Sequence, residues 1–218
     1  MPPSNLETSH TGEFLFSEAE GTRSREIVTI KSGQKLAAGA VLAAITDGAA
    51  TAAADSGNTG NGTMSAVTTA FGVAPGPYHV NFVAATTFEV EGPDGKVIPG
   101  KGATGSAYSG GGLGFTITAG GTAFVAGDGF TITVAAGSGK YVALGIAGTE
   151  ADGSDKAAAI LWDACDASAT GTNADTKATV IARAAEVVAA LLVYPSGTTT
   201  NQKTAALAAL ATAGITAR

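Results

Sequence analysis

Residues Thr29 to Ile45 read TIKSGQKLAAGAVLAAI, a stretch with apolar, β-branched ends on either side of a Ser32-Gly33 turn signal. Such ends favour strands, and glycine permits a tight reversal between them. The interior is mostly alanine and glycine, and the stretch has no His, Cys, Asp or Glu for acid–base chemistry. It predicts one strand that ends near Ile30 and a second from Val41 to Ile45, in a mostly β domain.

Composition limits the possible partners of the chain. The 218 residues are enough for one large domain or two small ones, and 45% of them are hydrophobic. A formal net charge of −6 argues against direct binding to nucleic acid or to an anionic membrane surface. Only 14% of the residues are charged, which is consistent with a surface partly covered by other protein molecules.

Residues 1–22 have no hydrophobic period, and their one apolar cluster is Phe14-Leu15-Phe16. One interpretation is a disordered leader. The other is a flexible arm that becomes ordered on a partner, since burying each of these side chains would stabilise a complex by about 1.5–3 kcal/mol. The polar start predicts no signal peptide, and the interrupted apolar run Leu36–Ala54 predicts no membrane span.

The composition changes between residues 59 and 137. Eight of the thirteen aromatic residues lie here, and period-two alternation places apolar side chains on one face of several strands. The alternating sets are Tyr78, Val80 and Phe82; Leu113, Phe115 and Ile117; and Phe130, Ile132 and Val134. The segment predicts a small β-sandwich or barrel inserted into another β domain, with Thr51–Thr63 as a linker. The flanks, 23–58 and 138–218, would form one discontinuous core domain.

The C-terminal part of the chain combines strands with one helix. Residues 178–193 are compatible with either structure, and their β-branched side chains favour strands. Thr199 and Gln202 match a capping box, and Gly214 fits the glycine that ends a helix. The sequence therefore predicts a short C-terminal helix whose apolar stripe is Leu207, Leu210 and Ala211.

No set of residues has the spacing of a catalytic or metal site. His10 and His79 lie far apart in the sequence, and the alternation predicts that His79 faces outward on a strand. Cys165 is the only cysteine, and a lone cysteine is more often a small buried residue than a nucleophile. Gly137–Lys140 and Gly110–Phe115 lack the spacing of phosphate-binding motifs. Four nearby carboxylates favour solvated turns over a calcium site: Asp152, Asp155, Asp163 and Asp166. We therefore predict no enzyme activity, no cofactor and no bound metal.

Four stretches carry a family resemblance: SREIVTIKSGQKLAAGAVLA, GKYVALGIAGTEADGSDKAAAILWDACDAS, ATVIARAAEVVAALLVYPSG and QKTAALAALATAGITAR. In their order along the chain and in their residue types, these stretches resemble the head decoration protein D family of lambda-like tailed bacteriophages. The middle segment, with TFEVEGPDGKV and GGLGFTITAGGTAFVAGDGFTITV, resembles an extra β domain that longer homologues carry.

This resemblance implies a β-clip-like core with a small helix, and a homotrimer on the outer surface of the virion, between major capsid proteins. Its role would be to stabilise the expanded head against internal DNA pressure. The N-terminal arm would pair with capsid strands, and from position and chemistry we predict Phe14, Leu15, Phe16, Arg23 and Arg25 as capsid contacts. Deleting residues 1–22 would then leave a soluble trimer that no longer binds heads.

Two other functions are compatible with the sequence. The inserted domain would be an adhesion module if it bound carbohydrate on host or environmental surfaces, with its aromatic side chains stacking on sugars. Their alternation indicates, however, that most of them belong to a core. A hydrolase using His79 and an aspartate is a third class, and no motif supports it.

Overall fold

The computed structural model describes residues 9–146, 150–171 and 173–218. Contacts divide the chain into two compact units. The first unit consists of the described residues of 1–45, 139–147 and 154–218, and the second of those of 46–138 and 148–153. Strands dominate both units, so the prediction of a mostly β chain is confirmed. Within the described residues, no helix is long and apolar enough to span a membrane.

In chain order, the elements are β1 (Leu15–Glu18), α1 (Gly21–Ser24), β2 (Arg25–Ile30), β3 (Lys35–Leu36), β4 (Val41–Ala44), β5 (Asp47–Ala54), β6 (Thr63–Met64), β7 (Thr68–Thr69), β8 (Gly76–Ala84), β9 (Thr87–Glu91), β10 (Gly102–Ala103), β11 (Ala107–Gly110), β12 (Leu113–Thr118), β13 (Gly129–Ala136), β14 (Tyr141–Ala143), β15 (Ala157–Leu161), β16 (Cys165–Asp166), β17 (Thr176–Ile181), β18 (Ala185–Val187), a 3-10 turn (Ala189–Leu191), α2 (Thr200–Thr212) and β19 (Ile215–Ala217).

The first unit is built on a closed barrel with the strand order β14-β2-β17-β15-β4. Alternate residues of β2 point inward, so that Val28 and Ile30 are buried while Ile27 is exposed. Beside the barrel lie a three-stranded sheet, β1-β18-β19, and the pair β3–β16. The ambiguous stretch from residue 178 is extended over β17 and β18, so the strand interpretation is confirmed there.

The C-terminal helix α2 begins where the sequence predicts. The Thr199 hydroxyl accepts from the Gln202 backbone N–H, and Gln202 Oε1 accepts from the Thr199 backbone N–H at 2.7 Å, which completes the capping box. Gly214 follows the helix with φ +78°, a left-handed conformation that glycine adopts without strain. The predicted apolar stripe needs one correction: Ala211 is exposed, because Ala206, one turn before Leu210, faces the core instead.

The second unit is a two-sheet structure. Its larger sheet has the order β10-β9-β8-β13-β5, and its smaller sheet has the order β11-β12-β6, with β7 also paired to β12. All nine residues of the three alternating sets predicted on β8, β12 and β13 are buried in one core. The alternation therefore predicted the inner faces of both sheets correctly.

The first boundary of the second unit differs from the boundary drawn on the sequence. Contacts place it at residue 46, and the first four residues of the expected linker Thr51–Thr63 belong to β5. Alanine has a low intrinsic preference for strands, so the sequence of β5 gives no strand signal; pairing along β13 makes it extended. Asp47 pairs with Ala136, so the segment 46–138 of the second unit starts and ends at neighbouring positions.

Candidate interaction surface

Of the five residues predicted to contact a capsid, Phe14 lies just before β1, and the other four lie on β1, α1 and β2 of the first unit. The N-terminal arm is folded onto its own chain from residue 9 onward. The Ser9 hydroxyl donates to Ala38 O at 2.8 Å, and the Thr11 hydroxyl donates to Asp163 Oδ1 at 2.7 Å. The remaining part of the predicted arm, residues 1–8, lies outside the described residues.

Phe14 is a core residue of the first unit. Its side chain is 1% exposed and packs edge-on against Trp162, with 6.2 Å between the ring centroids. The Phe14 carbonyl accepts from the Val188 N–H at 2.8 Å, which holds the backbone beside β18. In this conformation the Phe14 ring therefore packs within its own unit and stabilises the fold.

Phe16, two residues further on, has the opposite environment. Leu15 pairs with Val187 and is half-buried, whereas Phe16 is 69% exposed. The register of β1 against β18 shifts between Leu15 and Ser17. Such a bulge turns the extra residue away from the face that simple alternation assigns to it. Phe14 and Phe16 consequently do not share a face, and only Phe16 is free to bind a partner.

Arg25 is engaged within its own chain. Its Nε–H donates to Glu18 Oε2 at 3.1 Å, and its guanidinium lies 3.7 Å from the centroid of the Trp162 ring. The hydrogen bond from Arg25 holds the pKa of Glu18 below its ordinary value, against the opposing effect of burial. The Ser24 hydroxyl also donates to Glu18. Sequence reasoning missed the contacts of Arg25 with Glu18 and Trp162. Trp162 is distant in the chain, and the separation of seven residues from Glu18 to Arg25 matches no motif.

The exposed residues of this region differ in chemistry. Arg23 lies exposed in the last turn of α1, and Ile27 is 73% exposed on the outer side of β2. The alternation of β2 could have identified Ile27, since Val28 and Ile30 occupy the inner side. We call Phe16, Arg23 and Ile27, with the free edge of β1, the arm surface.

The structure offers little for chemistry among its described residues. No three His, Cys, Asp or Glu side chains in these ranges lie close enough to hold a metal ion. His79 is exposed on β8 opposite Glu91, as predicted for an outward-facing residue. Cys165 is buried, and burial raises the pKa of its thiol and disfavours the nucleophilic thiolate. Asp166 accepts from the Ser168 N–H at 3.0 Å, as expected for a turn.

The aromatic residues of the second unit are mainly structural. Of the eight aromatic residues between positions 59 and 137, which are the candidates for sugar stacking, only Phe71 is exposed. The others pack against one another in the core; Phe82 and Phe124, for example, stack with centroids 4.0 Å apart. An array of exposed rings, which carbohydrate stacking would require, is not present among the residues described.

One comparison with known proteins matches most of the chain. The sequence model of the family described as Bacteriophage lambda head decoration protein D matches residues 5–86 and 113–215. A search of curated proteins gave no match. Among solved structures, FlgL from Xanthomonas campestris is 26% identical at a TM-score of 0.34, over 44% of this chain and 33% of that chain. The flagellar hook junction protein FlgK from Burkholderia pseudomallei is 24% identical at a TM-score of 0.32, over 56% of this chain and 21% of that chain. This chain thus spans a third or less of those two proteins, and such TM-scores do not establish a shared fold.

Proposed function

Because the chain belongs to the bacteriophage lambda head decoration protein D family, we propose that it binds the expanded phage head as a homotrimer and stabilises the shell against internal DNA pressure. The family match, which covers most of the chain, is the observation that carries this proposal. Members of this family are structural proteins of the phage capsid exterior, and the partner of this chain is accordingly the capsid. The major capsid protein is the specific partner that we propose.

The arm surface supports this role through its shape and chemistry. Among the described residues, β1 pairs only with β18, so its other edge offers backbone groups to a capsid strand. Phe16 supplies an apolar anchor next to this edge, and Arg23 supplies a positive charge. The first unit contains ten acidic and ten basic residues. Because its net charge is zero, it exerts no long-range electrostatic repulsion on a charged capsid surface.

Trimer formation would turn a weak contact into firm attachment. Burial of one Phe16 side chain contributes about 1.5–3 kcal/mol, which corresponds to roughly a tenfold to hundredfold change in affinity. When three copies bind as one particle, the second and third contacts form at a high effective concentration. Loss of the anchor should therefore weaken attachment of the trimer far more than attachment of a monomer.

The test combines a mass measurement in solution with binding to empty expanded heads. We expect a trimer that sediments with the heads, and we expect the substitutions Phe16→Ala and Arg23→Ala to weaken this association without changing the mass. Phe71→Ala is the matched control, because Phe71 is also an exposed phenylalanine, at 61%, but lies in the second unit. Equal effects of Phe16→Ala and Phe71→Ala would contradict the arm surface, and a monomer would contradict the trimer.

Point substitutions replace the deletion of residues 1–22 as the test of the arm. The deletion would remove Phe14 from the core of the first unit as well as Phe16 from its surface. Loss of head binding after deletion would then report unfolding and loss of contact together. Phe16→Ala alone separates the two effects.

We further propose that residues 46–138 are an insertion that the decoration role does not require. Within the first unit, Ala44 pairs with Tyr141, so the chain ends that flank this segment are neighbours. Replacing the segment by a short Gly-Ser turn should leave the barrel intact, because such a turn closes a gap that is already small. The shortened chain is expected to bind heads; failure of a folded shortened chain to bind would show that the segment takes part.

A further inference from the structure

The second unit is open along one flank. Among the described residues, β5 pairs only with β13 and β6 pairs only with β12, so each sheet ends in a free edge. A groove of about 570 Å³ lies between these two edges. Six of the residues that line it are Ala50, Ala52, Ala54, Met64, Val67 and Phe130. On the β5 side of the groove, the interior of the two-sheet structure is therefore covered only by alanine side chains.

The free edge of β5 carries a row of unpaired backbone groups. The Asp55 N–H donates to Gly129 O at 3.1 Å, so the alternation of an antiparallel pair directs the backbone of Ala53 and Thr51 toward β13. The N–H and C=O groups of the even-numbered residues 50, 52 and 54 then point away from the sheet. Apart from the ladder with β13, no described residue forms a hydrogen bond with them.

The side chains of these same three alanines point into the groove. Ala50, Ala52 and Ala54 lie opposite the buried Val134, Ile132 and Phe130, and therefore on the inner face of the sheet. Ala52 and Ala54 are nevertheless exposed. An added strand on β5 would place alternate side chains over this uncovered part of the core.

From Ala50 to Ala54 the edge lacks the features that normally prevent strand addition. The charged Asp47 and the irregularity in the pairing with β13 both lie before this stretch. Proteins protect free edges with proline, charged side chains or bulges. Residues 48–54 include no proline and no charged residue, and their pairing with β13 is regular from Ala50 to Ala54. An unprotected edge of this length is a site for pairing with another chain.

Charge and volume indicate what kind of segment would fit. The second unit contains eight acidic residues and two basic ones, so it carries all of the net charge of −6. Asp47 and Asp55 stand at the two ends of the free edge. A second copy of β5 would present only alanine methyl groups to the groove and would leave it unfilled. A basic segment with larger apolar side chains would match the negative charge of the unit and fill the volume of the groove.

We propose that the edge of β5 and the adjoining groove bind an extended segment of another protein as an added strand, with large apolar side chains at alternate positions and Lys or Arg between them. The segment extends the larger sheet, completes its backbone hydrogen bonds and covers the open flank. This site lies in the second unit and does not depend on the proposed attachment to the phage head.

A peptide based on β13 is a suitable probe, because β13 already pairs with β5 along its other edge. The probe is GFTITVAA, residues Gly129–Ala136, with Thr131→Lys and Thr133→Lys, and its binding to the full chain is measured by fluorescence anisotropy. Phe, Ile and Val then alternate with lysine. We expect saturable binding that weakens as salt is added. The matched peptide with Thr131→Glu and Thr133→Glu should bind at least about tenfold more weakly at low salt.

Substitutions at the edge locate the peptide on β5. Ala52→Pro removes an outward N–H at an edge position, where proline is tolerated, and should weaken binding by at least about tenfold while the thermal unfolding curve is unchanged. Ala52→Glu places a charge in the groove, under the apolar side chains of the peptide, and should have the same effect. Thr51→Glu places that charge on the opposite face, beside the lysines of the peptide, and should preserve or strengthen binding. Absence of binding, or equal binding by Ala52→Glu and Thr51→Glu, would overturn the proposal. Self-association of the chain that Ala52→Pro abolishes would overturn the assigned occupant, because the partner would then be a second copy.

Discussion

Replacement of Phe14 by alanine should destabilise the first unit strongly, although its position in residues 1–22 predicts a place on a surface arm. The ring is 1% exposed and contacts Trp162, so its removal leaves a cavity between the arm and the barrel. Truncation of a buried phenylalanine costs about 3–5 kcal/mol. Phe16→Ala is the matched control, since its side chain is 69% exposed and surface substitutions usually change stability by less than about 0.5 kcal/mol.

Urea unfolding followed by tryptophan fluorescence measures this difference directly. Trp162 is the only tryptophan of the chain, lies in the first unit and contacts Phe14, so its emission reports the unfolding of that unit alone. With a slope of about 2 kcal/mol per molar urea, the loss calculated for Phe14→Ala corresponds to a midpoint lowered by roughly 1.5–2.5 M. The midpoint of Phe16→Ala should remain close to that of the unsubstituted chain.

The opposite pattern would refute the reasoning. If Phe14→Ala leaves the midpoint unchanged, the arm is not packed on the barrel in solution, and the assignment of Phe14 to the core is wrong. If both substitutions lower the midpoint equally, the bulge between Leu15 and Ser17 does not separate their environments.

Three further predictions concern single interactions. Glu18→Gln should reduce the acid sensitivity of the first unit. Arg25 lowers the folded-state pKa of Glu18, so the stability that Glu18 contributes is present above its pKa in the unfolded chain and is lost as the pH falls through the folded-state pKa. Comparing urea midpoints at neutral and acidic pH would detect this loss, which the variant should not show. Thr199→Ala should lower the free energy of unfolding by about 1 kcal/mol, because it removes the N-cap of α2. Thr200→Ala, just inside the helix, should lower it less, and equal urea midpoints for the two variants would contradict the capping role. Asp128→Asn should lower the melting temperature of the second unit, because the carboxylate accepts the backbone N–H groups of Thr59, Gly60 and Val125, and an unchanged calorimetric transition would show that these bonds do not stabilise it.

The proposed roles of the two units rest on different properties. The first unit is electrically neutral and presents an exposed phenylalanine beside a free strand edge, which suits attachment to a protein lattice. The second unit carries the net charge and has its own free edge on β5. Attachment and recruitment of a second protein can therefore be tested by separate substitutions, Phe16→Ala for the former and Ala52→Pro for the latter.

Local patterns in the sequence were sufficient for much of the fold. The alternation of Phe130, Ile132 and Val134 predicted the inner face of β13, because successive side chains of any strand point to opposite sides. The capping box of Thr199 and Gln202 located the start of α2, since both partners lie within one helical turn. Neither inference needs to know what the element packs against.

Tertiary structure alone decided which residues of the arm are buried and where the second unit begins. Phe14 and Phe16 look equivalent in sequence, and they differ because a bulge interrupts their alternation and Trp162, distant in the chain, packs on one ring only. The alanines of β5 have little strand preference of their own, and they become an edge strand because β13 pairs with them. In both cases the deciding energy comes from contacts between residues that are far apart in the chain, and local sequence patterns do not report such contacts.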